Sequence, residues 1–232
     1  MMIATATADS RAFMNLVRPA LETADAATVA QVVLDHWKPQ QISSLLTESD
    51  VNVRRVCALV LGLVGDATTV EPLAQALHDE DSRVNELGQD ALWSVWFRLG
   101  TRAAARSFRE GMNLLGQNNL QAAILNFRQA IAADQNFAEA ANQCAIAHFL
   151  LGQWRQSLAF CQRAMDLMPY HFGAASGLGH CYMYLGDLDA ARQWYCQALQ
   201  INPRMPIIED ACRCLAEEFG RSKTKSARQA AG

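Results

Sequence analysis

"GLGHCYMYLGDLDAARQWYCQALQINP", residues 177–203, carries the spacing that decides the fold. Two helix-length stretches flank Gly186-Asp187, and Pro203 closes the second. Small residues stand at fixed places along both: Gly179 in the first, Ala191 and Ala198 in the second. Where two antiparallel helices cross closely, only Gly, Ala or Ser lets the backbones approach. Proline ends a helix because the residue before it resists the α region.

The cadence recurs upstream. Gly152, Ala164 and Pro169 precede Gly186, Ala198 and Pro203 by 34 residues. Ala123, Ser157 and Ala191 share one register, and Leu120, Trp154 and Leu188 another; Gly111, Phe127 and Ala130 extend it. This 34-residue helix–turn–helix period resembles the tetratricopeptide repeat. The resemblance places repeats at 104–137, 138–171 and 172–205. Gly179, Tyr182, Gly186, Ala191, Tyr195, Ala198 and Pro203 fit the third closely, whereas the first has Asn118 for the turn glycine and Gln135 for the closing proline. Residues 206–219, "PIIEDACRCLAEEF", read as one more helix, started by Pro206, with Ile207, Ala211, Cys214, Leu215 and Phe219 as its apolar stripe. Such a helix caps an apolar face that the last repeat otherwise exposes.

A second period lies before the first. At an offset of 31, Ile42 matches Leu73, Leu46 matches Leu77, Asp50 matches Asp81, Val53 matches Val84, Leu61 matches Leu92 and Val64 matches Val95. Each copy reads as a helix, an acidic turn and a second helix, with the acidic side chains as N-caps. Together with Arg54, Gly65, Asp66, Pro72 and Asp79, these residues resemble the HEAT-like repeats found in phycobilin lyases, over about 42–100. Residues 10–37 read as one or two further helices, with Thr23 or Asp25 as a cap and "KPQ" at 38–40 as the stop.

The fold class expected is all-α: an α-solenoid, a right-handed superhelix of helix–turn–helix repeats. Scarce turn residues agree, with 13 Gly and 6 Pro in 232 residues. The expected organisation is a HEAT-like module at 1–103, three tetratricopeptide repeats plus a capping helix at 104–219, and a disordered basic tail at 220–232. "ALWSVWFRLG", 91–100, sets Trp93, Trp96 and Phe97 at i, i+3 and i+4 on the last HEAT-like helix. Their expected role is to fill the junction between the modules; the alternative is an exposed aromatic patch for a partner.

Charge and motifs narrow the function. Residues 1–103 carry 8 basic and 13 acidic side chains, 104–219 carry 8 and 10, and the tail carries 4 basic and no acidic ones. No basic stripe runs through the folded part, which argues against nucleic acid as a partner. The N-terminus lacks a secretory pattern, and the longest apolar run, 56–65, is too short to span a membrane. Seven cysteines without an export signal read as free, buried thiols in a reducing, cytoplasmic setting. Cys212-Arg213-Cys214 lacks a second ligand pair, and Asp79–Asp81 and Asp187–Asp189 read as turn caps, so no metal site is expected. His148 and His180, 32 apart, are read as facing one groove. No phosphate-binding loop, nucleophile elbow or metalloprotease motif occurs, so neither a catalytic residue nor a cofactor is expected.

The expected function is that of a non-catalytic interaction scaffold or adaptor with a protein or peptide partner; self-association is compatible with the repeats. The alternative is an accessory or lyase-like factor related to the HEAT-repeat bilin lyases. In tetratricopeptide proteins the first helix of each repeat lines the concave face. By register, those positions are Phe108, Met112 and Leu115; Asn142, Ile146 and Phe149; and His180, Met183 and Tyr184. Relatives that grip acidic chaperone tails use Lys, Asn and Arg there. Here Phe108, Met112, Gly173 and Gly177 occupy those places, and only Asn142 offers a clamp-like amide. The resemblance therefore implies an apolar groove for a hydrophobic helix or extended segment, oriented by Asn142 and His180.

Overall fold

The computed structural model describes residues 8–217. Among these, all regular structure is helical. The chain divides into two compact units between Leu99 and Gly100, a few residues ahead of the expected boundary. The basic tail at 220–232 and Phe219 lie outside the described residues.

The first unit comprises α1 (Ser10–Glu22), α2 (Ala26–Leu34), α3 (Pro39–Ser43), α4 (Val51–Val64), α5 (Val70–Ala76) and α6 (Ser82–Arg98), with 3-10 turns at Ser44–Thr47 and Ala67–Thr69. Asp25 caps α2 by accepting the Ala27 and Thr28 N–H groups. One reading is corrected here. α2 stops at Leu34, and Pro39 opens α3 instead of ending α2. Proline suits the first helical turn, whose N–H groups have no intrahelical acceptor.

The 31-residue recurrence is a recurrence of structure. Asp50 and Asp81 cap α4 and α6, accepting the N–H groups of Asn52 at 2.8 Å and Val84 at 3.0 Å. Ile42 and Leu73, Leu46 and Leu77, Val53 and Val84, and Leu61 and Leu92 are all buried. α4 and α6 approach closely at Gly62, where an added Cβ would lie 3.4 Å from the Ala91 Cα. Two arginine forks tie α4 to the acidic turn. Arg54 donates to Asp79 from Nε at 2.7 Å and Nη2 at 3.0 Å, and Arg55 donates to Asp81 at 3.0 and 2.6 Å.

These forks shift the carboxylates. Burial pushes Asp79 up, but hydrogen bonds from Arg54 and the Asp81 N–H outweigh it, and its pKa is lowered. The Arg55 hydrogen bond, above all, brings Asp81 down to about 2. A carboxylate with a depressed folded pKa contributes stability above its unfolded value of about 3.9, and that contribution is lost as pH falls through the folded value. The first unit is therefore expected to lose stability as pH drops from about 4 towards 2. Arg55→Met should return the Asp81 titration towards the ordinary carboxylate range, measured by carboxyl NMR. An unchanged titration would show that the fork does not hold Asp81.

The second unit begins with three antiparallel helix pairs: α7 (Arg102–Gly116) with α8 (Leu120–Ala133), α9 (Ala138–Leu150) with α10 (Trp154–Leu167), and α11 (Phe172–Leu185) with α12 (Leu188–Ile201). Residues 206–217 add a last described helix. The three inner turns are superposable in their bonding. Asn118, Gly152 and Gly186 each take a left-handed backbone, φ +58°, +72° and +83°. The next N–H in each reaches back to Leu114, His148 and Tyr182, at 2.8, 3.0 and 3.0 Å. Asn118 thus serves where the other turns use glycine, because asparagine tolerates that conformation. Gln135 likewise leaves the closing turn intact: Asp134, Met168 and Asn202 donate to the alanine carbonyls four residues back at 2.9, 2.9 and 2.8 Å.

The crossing points explain the small residues. A Cβ on Gly111 would lie 2.6 Å from the Phe127 ring, and one on Gly179 would lie 2.3 Å from Tyr195. At the same register the middle repeat pairs Ala145 with Cys161, both buried. Side-chain volume is exchanged across the crossing: a ring demands glycine, and a cysteine leaves room for a methyl. Gly111→Ala is expected to cost about 1–3 kcal/mol by overpacking. Adding Phe127→Cys, which recreates the middle repeat's pair, should make the double variant cost less than the sum of the singles in urea unfolding. Strict additivity would show that the two positions do not contact.

The last helix corrects another reading. Its inward stripe is Ile208 and Leu215, both buried, with Ala211 and Cys212 partly buried beside them against the core of the repeats. Ile207 is 76% exposed and Cys214 is exposed. Both sets have helical spacing, and the packing surface selects between them.

Candidate functional site

The face left open by α9 and α11 carries most of the exposed apolar side chains of the second unit. Ile146, Leu150, Met183, Tyr184 and Leu185 are all exposed, Leu150 at 57% and Tyr184 at 58%. Spacing puts Ile146 and Leu150 on one side of α9, at i and i+4, and Met183 and Tyr184 beside His180 on one side of α11, at i+3 and i+4, whereas Leu185 is turned away from that side. Three aromatic rings frame the patch. Phe149 meets Tyr184 edge-on at 5.2 Å between centroids, Trp154 stacks on Tyr184 at 4.9 Å, and Phe149 lies 6.1 Å from His180. Trp154, Leu150 and Leu185 had no assigned part in the sequence reading. Their signal was the 34-residue register, which puts Trp154 at the mouth of the turn after α9.

His180 supplies a polar group. Its Nδ1 lies 2.8 Å from the Tyr195 hydroxyl. Burial lowers the His180 pKa, and burial raises that of Tyr195 to about 12. At neutral pH the phenol is therefore protonated and the imidazole neutral, and one hydrogen bond joins the hydroxyl to Nδ1.

Other expected positions lie elsewhere. Phe108 is buried, with its ring 4.7 Å from Phe137 and 5.9 Å from Phe127. Met112 and Leu115 are partly buried against the core. Asn142 is buried and donates to Glu139. Phe108 and Asn142 are interior because α7 and α9 turn them towards neighbouring helices. His148 does not share a groove with His180. It is buried, stacks on Phe160 and has Nδ1 2.6 Å from the Gln153 side-chain oxygen. In the first unit, Trp93, Trp96 and Phe97 touch one another on α6, with Trp93 5.1 Å from Trp96 and 6.4 Å from Phe97. Trp96 is 1% exposed and Phe97 37%.

A second histidine pairing was not legible from spacing. Glu139 on α9 and His171 at the start of α11 are buried, with Nε2 to Oε2 at 2.7 Å. His171 Nδ1 accepts the Ala174 N–H at 3.2 Å, capping α11, so Nε2 carries the proton that Glu139 receives. The Gln143 amide also donates to Glu139 at 2.6 Å, and Asn142 at 3.3 Å. Three donors thus converge on one carboxylate and join the second repeat to the third. Glu139→Ala is expected to cost about 3–5 kcal/mol, because it strands buried donors. Urea unfolding measures it, and a cost below 1 kcal/mol would mean that water replaces the carboxylate.

No helix among the described residues is long and apolar enough to cross a membrane. Among the described residues no cluster of three His, Cys, Asp or Glu side chains could hold a metal.

Comparisons with known proteins agree with this geometry. Residues 174–205, which span α11 and α12, match the model of the tetratricopeptide repeat. A TPR repeat-containing protein of Rhizobium etli is 27% identical over 96 residues, 41% of this chain and 47% of that protein. The chain thus spans about half the length of that curated relative. Three solved structures share the fold. The first TPR of Spaghetti (RPAP3), bound to the HSP90 peptide SRMEEVD, is 20% identical, with a TM-score of 0.50 over 51% of this chain and 94% of that one. The Arabidopsis OM64 TPR domain is 19% identical, with a TM-score of 0.50 over 51% and 98%. The Sgt2 TPR domain of Aspergillus fumigatus is 16% identical, with a TM-score of 0.50 over 53% and 83%. Residues 174–205 thus match a tetratricopeptide repeat, within a second unit whose described regular structure is all helical.

Proposed function

We propose that the second unit is a non-catalytic scaffold whose open α9–α11 face receives an apolar helix or extended segment of a protein partner. The observation that carries this reading is the set of exposed Ile146, Leu150, Met183 and Tyr184 at i, i+4 and i, i+1 spacing on α9 and α11, with Phe149 and Trp154 packed against Tyr184. Methionine and aromatic rings suit an adaptable apolar contact. The His180 imidazole, its Nδ1 held by the Tyr195 hydroxyl, is the polar group that would orient the backbone of the ligand.

The Spaghetti repeat domain is bound to an acidic HSP90 peptide. A clamp for such a tail needs cations or amides directed at its carboxylates. Here Phe108 is interior, glycine stands at 173 and 177, and the Asn142 amide is engaged by Glu139. Those observations favour an apolar ligand over an acidic one. For the first unit we retain the reading of HEAT-like repeats, supported by the 31-residue recurrence of caps and buried residues.

Selection of a displayed peptide library on the whole chain tests the groove. Enriched peptides are expected to carry two or more large apolar residues at helical or alternating spacing. Met183→Glu with Tyr184→Glu should weaken them at least about tenfold while leaving the circular-dichroism helicity unchanged, about 1.4 kcal/mol of lost contact. Synthetic SRMEEVD serves as the comparator. Micromolar binding of that peptide, or enriched peptides indifferent to both substitutions, would overturn the reading.

A further inference from the structure

Of the seven cysteines, four are buried: Cys57, Cys144, Cys161 and Cys181. The other three gather on α12 and the last described helix, where Cys196 and Cys214 are exposed and Cys212 is partly buried. Cys196 Sγ and Cys212 Sγ stand 4.0 Å apart. We propose that Cys196 and Cys212 form an oxidisable thiol pair whose disulfide ties residues 206–217 to α12. The inference is independent of what the open face binds.

The geometry suits the bond. The two sulfurs are already close to van der Waals contact, on two helices that share one core, and the bonded distance is about 2.05 Å. Ile208 and Leu215, both buried against the repeats, hold the last helix so that Cys212 faces α12. Cys214 is two positions further on, roughly 200° around the same helix, and points away. The partner of Cys196 is thus specified by packing and not by sequence proximity.

Exposure orders the chemistry. The oxidant is a small disulfide such as oxidised glutathione, which reaches the exposed Cys196. The Cys196 thiolate attacks one glutathione sulfur, forms the mixed disulfide and releases one glutathione thiolate. The Cys212 thiolate then attacks the Cys196 sulfur and expels the second. Two protein thiols lose two electrons and two protons, and one glutathione disulfide becomes two glutathione thiols. Burial, with Cys196 beside it, pushes the Cys212 thiol up to about 11, against the charge of Arg192. Cys212 is therefore mostly protonated at neutral pH, and the second step draws on its thiolate fraction, which rises with pH.

The sequence makes the test direct. Trypsin separates the three thiols into 193–204 (QWYCQALQINPR), 205–213 (MPIIEDACR) and 214–221 (CLAEEFGR). The whole chain is equilibrated in oxidised glutathione, alkylated, digested and weighed. The expected product is 193–204 joined to 205–213, about two mass units below the sum. In Cys212→Ser, glutathione should remain on 193–204. Hydrogen exchange of 206–217 should slow about tenfold on oxidation, recover in dithiothreitol, and be insensitive to oxidant in Cys212→Ser. Both thiols still alkylatable, a link to 214–221 or to a second chain, or a correct link without slower exchange would each overturn the proposal.

Discussion

The second unit depends on the exchange of volume where paired helices cross. Phe127 and Tyr195 can lie in the core only because Gly111 and Gly179 have no side chain to meet them. Cys161 permits Ala145 at the equivalent place in the middle repeat. Close-packed interiors tolerate neither a void nor an extra methyl, so each pair constrains the distance between its two helices. The alanines at 123, 130, 164, 191 and 198 are fully buried for the same reason. Three crossings built from complementary side-chain volumes, with turns bonded alike, give three similar hairpins, and similar hairpins stack.

Polar groups make the stacking specific. Inside the second unit, the carboxylate of Glu139 gathers His171, Gln143 and Asn142, and His171 also caps α11. In the first unit, Arg54 and Arg55 hold Asp79 and Asp81 beside the start of α6. Both arrangements bind a helix terminus to a neighbouring helix through charge-assisted hydrogen bonds, which have narrow geometry. Apolar packing alone would permit more slippage than these contacts do.

The exposed face of α9 and α11 follows from the same construction. Each first helix spends one side on its own partner helix and one on the neighbouring repeat. What remains is a strip at 146, 150, 180 and 184, and there the chain places Ile146, Leu150, His180 and Tyr184. Apart from His180 the strip is apolar although nothing within its own helices requires that, and this is the ground on which we propose it as a contact surface.

The amino-acid sequence by itself determined the helix pairs, their 34- and 31-residue periods, the caps at Asp50 and Asp81, and the small residues at the crossings, while it left the α2 cap open between Thr23 and Asp25. Each of these is local: a spacing, a turn conformation or a side-chain size at a fixed offset. Only the tertiary structure decided which of two helical stripes on 206–217 is buried, since Ile207 and Ile208 serve either register equally well. It also moved Phe108 and Asn142 inside and paired Glu139, not His148, with a histidine 32 residues away. Such choices depend on which neighbour a helix face meets, and periodicity describes a face without naming its neighbour.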